Sequence, residues 1–163
     1  MKTRWPGRAR DWRALAGVPL MVLAMALLAA CGGAPKTQSM TVTVNATESV
    51  NPDMQGRPSP IVVHVYELRS GDQFSGLDYF SLTNNVQATL SGDLVAQQQH
   101  VMTPGSNRVL ELELSAQTTA LGFVAGYRDM DNAIWRQVVP VGEKTKAIVV
   151  TLDQQQLGAT ASD

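Results

Sequence analysis

Beyond residue 39 the chain alternates apolar and polar positions with the period of a strand far more often than with that of a helix. Met40–Asn45 (MTVTVN) alternates with β-branched residues throughout, and Ile61–Leu68 (IVVHVYEL) is a dense run of strand formers. Leu94–Met102 is a weaker strand with polar interruptions. In Arg108–Leu114, Leu110, Leu112 and Leu114 point one way and Glu111 and Glu113 the other. Leu121–Arg128, Ile134–Val141 and Thr145–Leu152 complete a predicted set of seven strands. Turn residues punctuate them at Asn51-Pro52-Asp53, Pro58-Ser59-Pro60, Pro104-Gly105, Asp131-Asn132 and Gly142-Glu143. Strands so short and so closely spaced, without helical crossovers, predict an all-β sandwich or small barrel. The exception is residues 71–90, where Phe74, Leu77, Phe80 and Leu82 recur at roughly helical spacing behind a capping Asp72. One or two short helices are expected there. Residues 153–163, DQQQLGATASD, carry no pattern and are expected to be a flexible tail, leaving 40–152 as the sandwich domain.

The amino terminus follows a different rule. Residues 1–13 hold five basic side chains and one acidic, and residues 14–30 hold no charge. That apolar run of 17 residues contains Gly17 and Pro19, and is marginal for a spanning helix, which needs about 20. A basic stretch, an apolar core and small residues before a cleavage point describe a secretory signal over residues 1–30. Leu28-Ala29-Ala30-Cys31 resembles the lipobox of bacterial lipoproteins. In that family the cysteine thiol, a good nucleophile as thiolate, receives a diacylglyceryl group, and the new amine is acylated after cleavage. Cys31 is therefore the expected lipidation site. Gly32 rather than Asp follows it, which by the same resemblance favours the outer membrane. Residues 31–39 are expected to be a lipidated tether.

The whole chain has 13 basic and 14 acidic residues; without residues 1–30 it keeps 8 and 13, a net charge of −5 over 133 residues. That length suits a single core, and the charge gives no clustered basic surface for nucleic acid. Cys31 is the lone cysteine, so a lipidated chain has no internal disulfide.

Catalytic chemistry is hard to assemble. His64 lies within a strand and His100 in a glutamine-rich stretch, without the short spacing of zinc motifs. Glu111 and Glu113 read as a solvated face opposite three leucines. Asp129, Asp131 and Asn132 lack the glycine and final glutamate of a calcium loop and read as a hairpin turn. No enzyme, cofactor, metal or small-molecule substrate is expected. Two other readings remain: a sandwich module binding a small ligand or carbohydrate, and an envelope hydrolase using Glu111 or Asp129. Residues 46–60, ATESVNPDMQGRPSP, are long for an irregular connection, and loops of this length are functional or disordered. Three prolines stiffen it, which lowers the entropy lost on binding.

Asn51-Pro52-Asp53, Gly56–Val63 and Val65–Arg69, followed by Asp78–Leu82, Pro104-Gly105 and Gly126–Arg136, together resemble the type VI secretion outer-membrane lipoprotein family, TssJ. The resemblance covers most of residues 40–152, in order and behind the lipobox. It implies a transthyretin-like two-sheet β-sandwich with added short helices, anchored by acyl chains in the outer membrane and facing the periplasm. It implies docking of the C-terminal periplasmic domain of the inner-membrane protein TssM. In the family the loop between the first two strands carries much of that contact, which maps here onto Asn51, Pro52, Asp53, Met54, Gln55, Gly56 and Arg57.

Overall fold

The computed structural model describes residues 37–162. Strands β1 (Thr37–Ala46), β2 (Ile61–Leu68), β3 (Leu94–Met102), β4 (Asn107–Ser115), β5 (Ala120–Ala125), β6 (Arg136–Pro140), β7 (Ala147–Leu152) and β8 (Leu157–Ser162) build a two-sheet sandwich. One sheet has the order β4-β1-β7-β8 and the other β3-β2-β5-β6. Neighbours pair antiparallel except β1 and β7, which run parallel. Helices α1 (Asp72–Gly76), α2 (Tyr79–Asn84) and α3 (Val86–Thr89) fill the β2–β3 connection.

The alternation sets the facing of the sheets. Met40, Val42 and Val44 of β1, the three leucines of β4, and Ile148 and Val150 of β7 meet Ile61, Val63, Val65 and Phe123 of the other sheet. Outward, Ser39 and Thr41 donate their hydroxyls to Glu113 and Glu111 across the strand pair, at 3.1 and 3.0 Å. A second apolar layer lies beneath the helices, where Tyr66, Leu68 and Val124 pack on Phe74, Leu82, Val86 and Leu90. All six residues of β5 are buried, which explains a run without alternation: this strand has protein on both faces. Gly122 is needed there, because a Cβ would sit 2.7 Å from the Phe74 ring. The Tyr66 hydroxyl stays satisfied by donating to the Leu82 carbonyl at 2.7 Å.

Several expectations are corrected. Eight strands form, not seven. Of the expected tail 153–163, the described residues 153–162 are ordered: β8 pairs with β7 from Leu152↔Leu157 to Ala147↔Ser162, and Leu157 is fully buried. β8 completes the ladder of β7, whose backbone groups would otherwise lie unpaired. The sandwich also begins before Met40. Thr37, Gln38 and Ser39, expected in the tether, pair with Ser115, Leu114 and Glu113. The Gln38 amide further donates to the carbonyls of Gly142 and Thr145. The inserted segment has three helices, and Asp72 is not a cap: Gly71 holds that position without a side-chain bond. Asp78 caps α2 instead, accepting from the Ser81 amide at 3.0 Å and its hydroxyl at 2.6 Å. The signal over residues 1–30, Cys31 and tether residues 32–36 lie outside the described residues. Among the described residues no helix is long and apolar enough to cross a membrane.

Strand polarity sorts the connections to two ends. Thr37, the turn 116–119, the β6–β7 connection between the sheets and the start of the helical insert share one end. The β1–β2 loop, the β3–β4 turn, the β5–β6 loop and the β7–β8 turn share the other. Backbone bonds tie the second group together: Thr47 N–H to the Leu152 carbonyl, Gly105 N–H to Thr47, and Ile134 N–H to Gln155. The ten residues of β1 run between the ends, roughly 30 Å at the usual rise per residue.

Candidate functional site

The β1–β2 loop is built from its base upward. Val50 is fully buried, and Asn51 is 3 % exposed. Asn51 takes a left-handed φ of 51°, which asparagine tolerates better than other Cβ-bearing residues. All its polar groups but the carbonyl are used to brace the loop. The backbone N–H donates to the Gln154 carbonyl at 3.1 Å. The side-chain amide donates to the Pro60 carbonyl at 2.9 Å, and its oxygen accepts the Arg128 N–H at 2.8 Å. One buried side chain thus joins both legs of this loop to the β5–β6 loop, while its backbone holds the β7–β8 turn. Ser59 N–H donates to the Val50 carbonyl at 3.1 Å and closes the return leg.

Above this base, Asp53 to Arg57 form a closed tip. Asp53 N–H donates to the Arg57 carbonyl at 2.9 Å, and Gly56, at φ 76°, donates to the Asp53 carbonyl at 2.8 Å. A left-handed turn position of this kind suits glycine. The Asp53 carboxylate accepts the Gln55 and Arg57 amides, both at 2.9 Å, and pairs with the Arg57 guanidinium at 2.7 Å. The Arg57 amide, then its guanidinium, the Gln55 amide and the Arg128 charge hold the Asp53 carboxyl below the usual aspartate range. The tip so closed presents Met54 at 97 % exposure.

Beside it the β5–β6 loop contributes Arg128 and Asp129. Asp129 accepts both bonds of the Asn132 amide at 3.0 Å and one from Gln155 at 2.8 Å. An open depression of about 620 Å³ lies between the loops, lined by Asp53, Met54, Arg57, Arg128, Asp129 and Gln155 among others.

Pro52 to Arg57 therefore share one surface, whereas Asn51 offers no surface to a partner and acts as a brace. Arg128, Asp129 and Gln155 belong to the same surface; the sequence points to Asp129 only for calcium or hydrolytic chemistry, and nothing local to Arg128 or Gln155 marks the neighbourhood. The other candidates do not assemble. Glu111 and Glu113 lie on the outer face of β4, tied to β1, while Asp129 belongs to an end loop. The β2–β3 register sets His64 opposite Gln99 and His100 opposite Val63, so the two rings leave the sheet on opposite faces. Among the described residues no group of His, Cys, Asp or Glu is arranged to hold a metal.

A family model described as "Type VI secretion lipoprotein, VasD, EvfM, TssJ" matches residues 38–155. The crystal structure of the T6SS lipoprotein TssJ1 from Pseudomonas aeruginosa is similar at 39 % identity and a TM-score of 0.75, over 78 % of this chain and 98 % of that one. Serratia marcescens Lip, described as a membrane-bound component of the type VI secretion system, matches at 22 % identity and a TM-score of 0.71, over 78 % and 99 %. A chain of the structure described as the T6SS protein TssM C-terminal domain from EAEC matches at 23 % identity and a TM-score of 0.62, over 77 % and 98 %. The last two likenesses bear on the fold alone. No curated protein matches the chain.

Proposed function

Because this chain belongs to the type VI secretion lipoprotein family, TssJ, we propose that it is a structural bracket of the secretion machine's membrane complex. Cys31 carries the acyl chains that hold it in the outer membrane, and residues 31–36 are a short tether. The sandwich faces the periplasm, and the β1–β2 loop docks the C-terminal periplasmic domain of TssM. The protein turns over no substrate.

The observation that carries this reading is the braced loop tip with Met54 exposed, at the end of the sandwich opposite Thr37. Methionine is enriched at protein interfaces relative to the rest of the surface, and a stiff loop loses little entropy on association. The lengths agree with a bracket. Six chain steps from Cys31 to Thr37 reach at most about 20 Å, and β1 adds roughly 30 Å. Several acyl chains, at about 0.8 kcal/mol per buried CH₂, make release from the bilayer very slow.

The test compares pull-down of the TssM periplasmic domain by the natural protein and by a variant with residues 53–57 replaced by Gly/Ser, keeping Asn51. Loss of capture with an unchanged melting curve is expected; equal capture by both defeats the loop assignment. Cys31→Ser should abolish palmitate labelling and release a folded protein into the periplasmic fraction. Its retention with outer membranes would refute the anchor.

A further inference from the structure

We propose that Arg128, outside the β1–β2 loop, is the second half of the docking surface: its guanidinium receives a carboxylate of the partner while Met54 beside it enters an apolar socket of the same protein. This inference rests on the docking reading above and adds the chemistry of the surface that meets the tip.

An inventory of the polar groups around the depression leads to Arg128. Both carboxylate oxygens of Asp53 are occupied by the amides of Gln55 and Arg57 and by the Arg57 guanidinium. Arg57 is in turn held by Asp53 and reaches Gln55. Asp129 is held by Asn132 and Gln155. Arg128 is exposed, and among the described residues its guanidinium makes no hydrogen bond or ion pair, although its backbone N–H is fixed by Asn51. Five donors in a planar fork are therefore available, and that fork matches a carboxylate in two-point geometry. The lining is otherwise neutral, with Asp53 and Asp129 set against Arg57 and Arg128, so a single carboxylate fits better than a doubly charged phosphate.

The adjacent apolar group argues for a protein as occupant. Met54 lines the same depression at 97 % exposure, on a tip whose backbone is closed on itself. Asn51 sets the two groups relative to each other, because it braces the stem that carries Met54 and fixes the backbone of Arg128. An arginine and a methionine held together on a rigid surface have the composition of an interface centre.

The experiment titrates the full-length acylated protein, in detergent, with the TssM periplasmic domain at two salt concentrations. Arg128→Ala is expected to weaken binding about 10- to 100-fold and to flatten its salt dependence, and Arg128→Glu to weaken it further. Arg128→Lys should recover part of the loss, since a point charge keeps attraction without the fork. Met54→Leu should bind within about threefold of the natural protein, and Met54→Ser at least about tenfold more weakly. All the variants should melt as the natural protein does, because both side chains are exposed. If the natural protein binds and Arg128→Glu binds equally well, this inference falls while the loop docking stands. If the natural protein does not bind the TssM domain, both fall.

Discussion

Replacing Asn51 by alanine tests whether one buried amide holds the loop end of the sandwich together. The change removes the donor to the Pro60 carbonyl and the acceptor of the Arg128 N–H. Each lost bond costs about 0.5–1.5 kcal/mol net. The left-handed φ of 51° adds about 1 kcal/mol once asparagine's tolerance of that region is gone. The expected destabilisation is therefore about 2–4 kcal/mol, a large share of the 5–15 kcal/mol typical of a domain. Urea unfolding of the compact unit Lys36–Asp163, followed by far-UV circular dichroism, reads it as a lowered midpoint at constant slope. Two further variants separate the contributions. Asn51→Gly relieves the backbone strain without restoring either bond, and should recover about 1 kcal/mol. Asn51→Asp keeps the acceptor for Arg128 but turns an oxygen toward the Pro60 carbonyl, and should remain destabilised. A loss below about 0.5 kcal/mol for Asn51→Ala would refute the bracing role, as would Gly and Ala variants of equal stability.

Deleting residues 157–163 should expose the β7 edge and the buried Leu157, and lower the melting temperature by several degrees or abolish folding; a truncated protein that melts normally would mean β8 contributes nothing. Gly122→Ala brings a Cβ to 2.7–3.0 Å from three atoms of the Phe74 ring and should cost about 1–3 kcal/mol in a denaturant titration. Asp53 has its carboxyl lowered in the folded state, so its contribution to the clasp is complete above the usual aspartate range and disappears as pH falls through the lowered value. Carboxyl NMR should give a midpoint below that of a model aspartate, with the Gln55 and Arg57 amide resonances moving at the same midpoint.

The strands with strong alternation or dense β-branching were legible as they stand. Ile61–Leu68 and Leu94–Met102 match β2 and β3 end to end, and the leucine and glutamate faces of β4 point as their spacing requires. What escaped was decided elsewhere in the chain. LGATAS has no apolar period, and forms β8 because β7 offers an unpaired edge. Residues 37–39 look like linker, yet β4 extends far enough to pair with them. The 46–60 loop was visible by its length, but its stiffness comes less from the prolines than from Asn51 and Asp53. The bond that couples Asn51 to Arg128 spans 77 residues of sequence, and no local pattern reports it.

β1 sits inside its sheet, flanked by β4 on one side and β7 on the other, and runs from Thr37 to the base of the 46–60 loop. A pull applied between the amino end and that loop is therefore directed along the strand's own axis. The ladders on both flanks then resist together, in shear, instead of opening one rung at a time as an edge strand would under a sideways pull. A protein strained between two membranes would carry tension along its best-clamped element, and single-molecule stretching from these two points should meet a higher rupture force than stretching from Thr37 and Ser162.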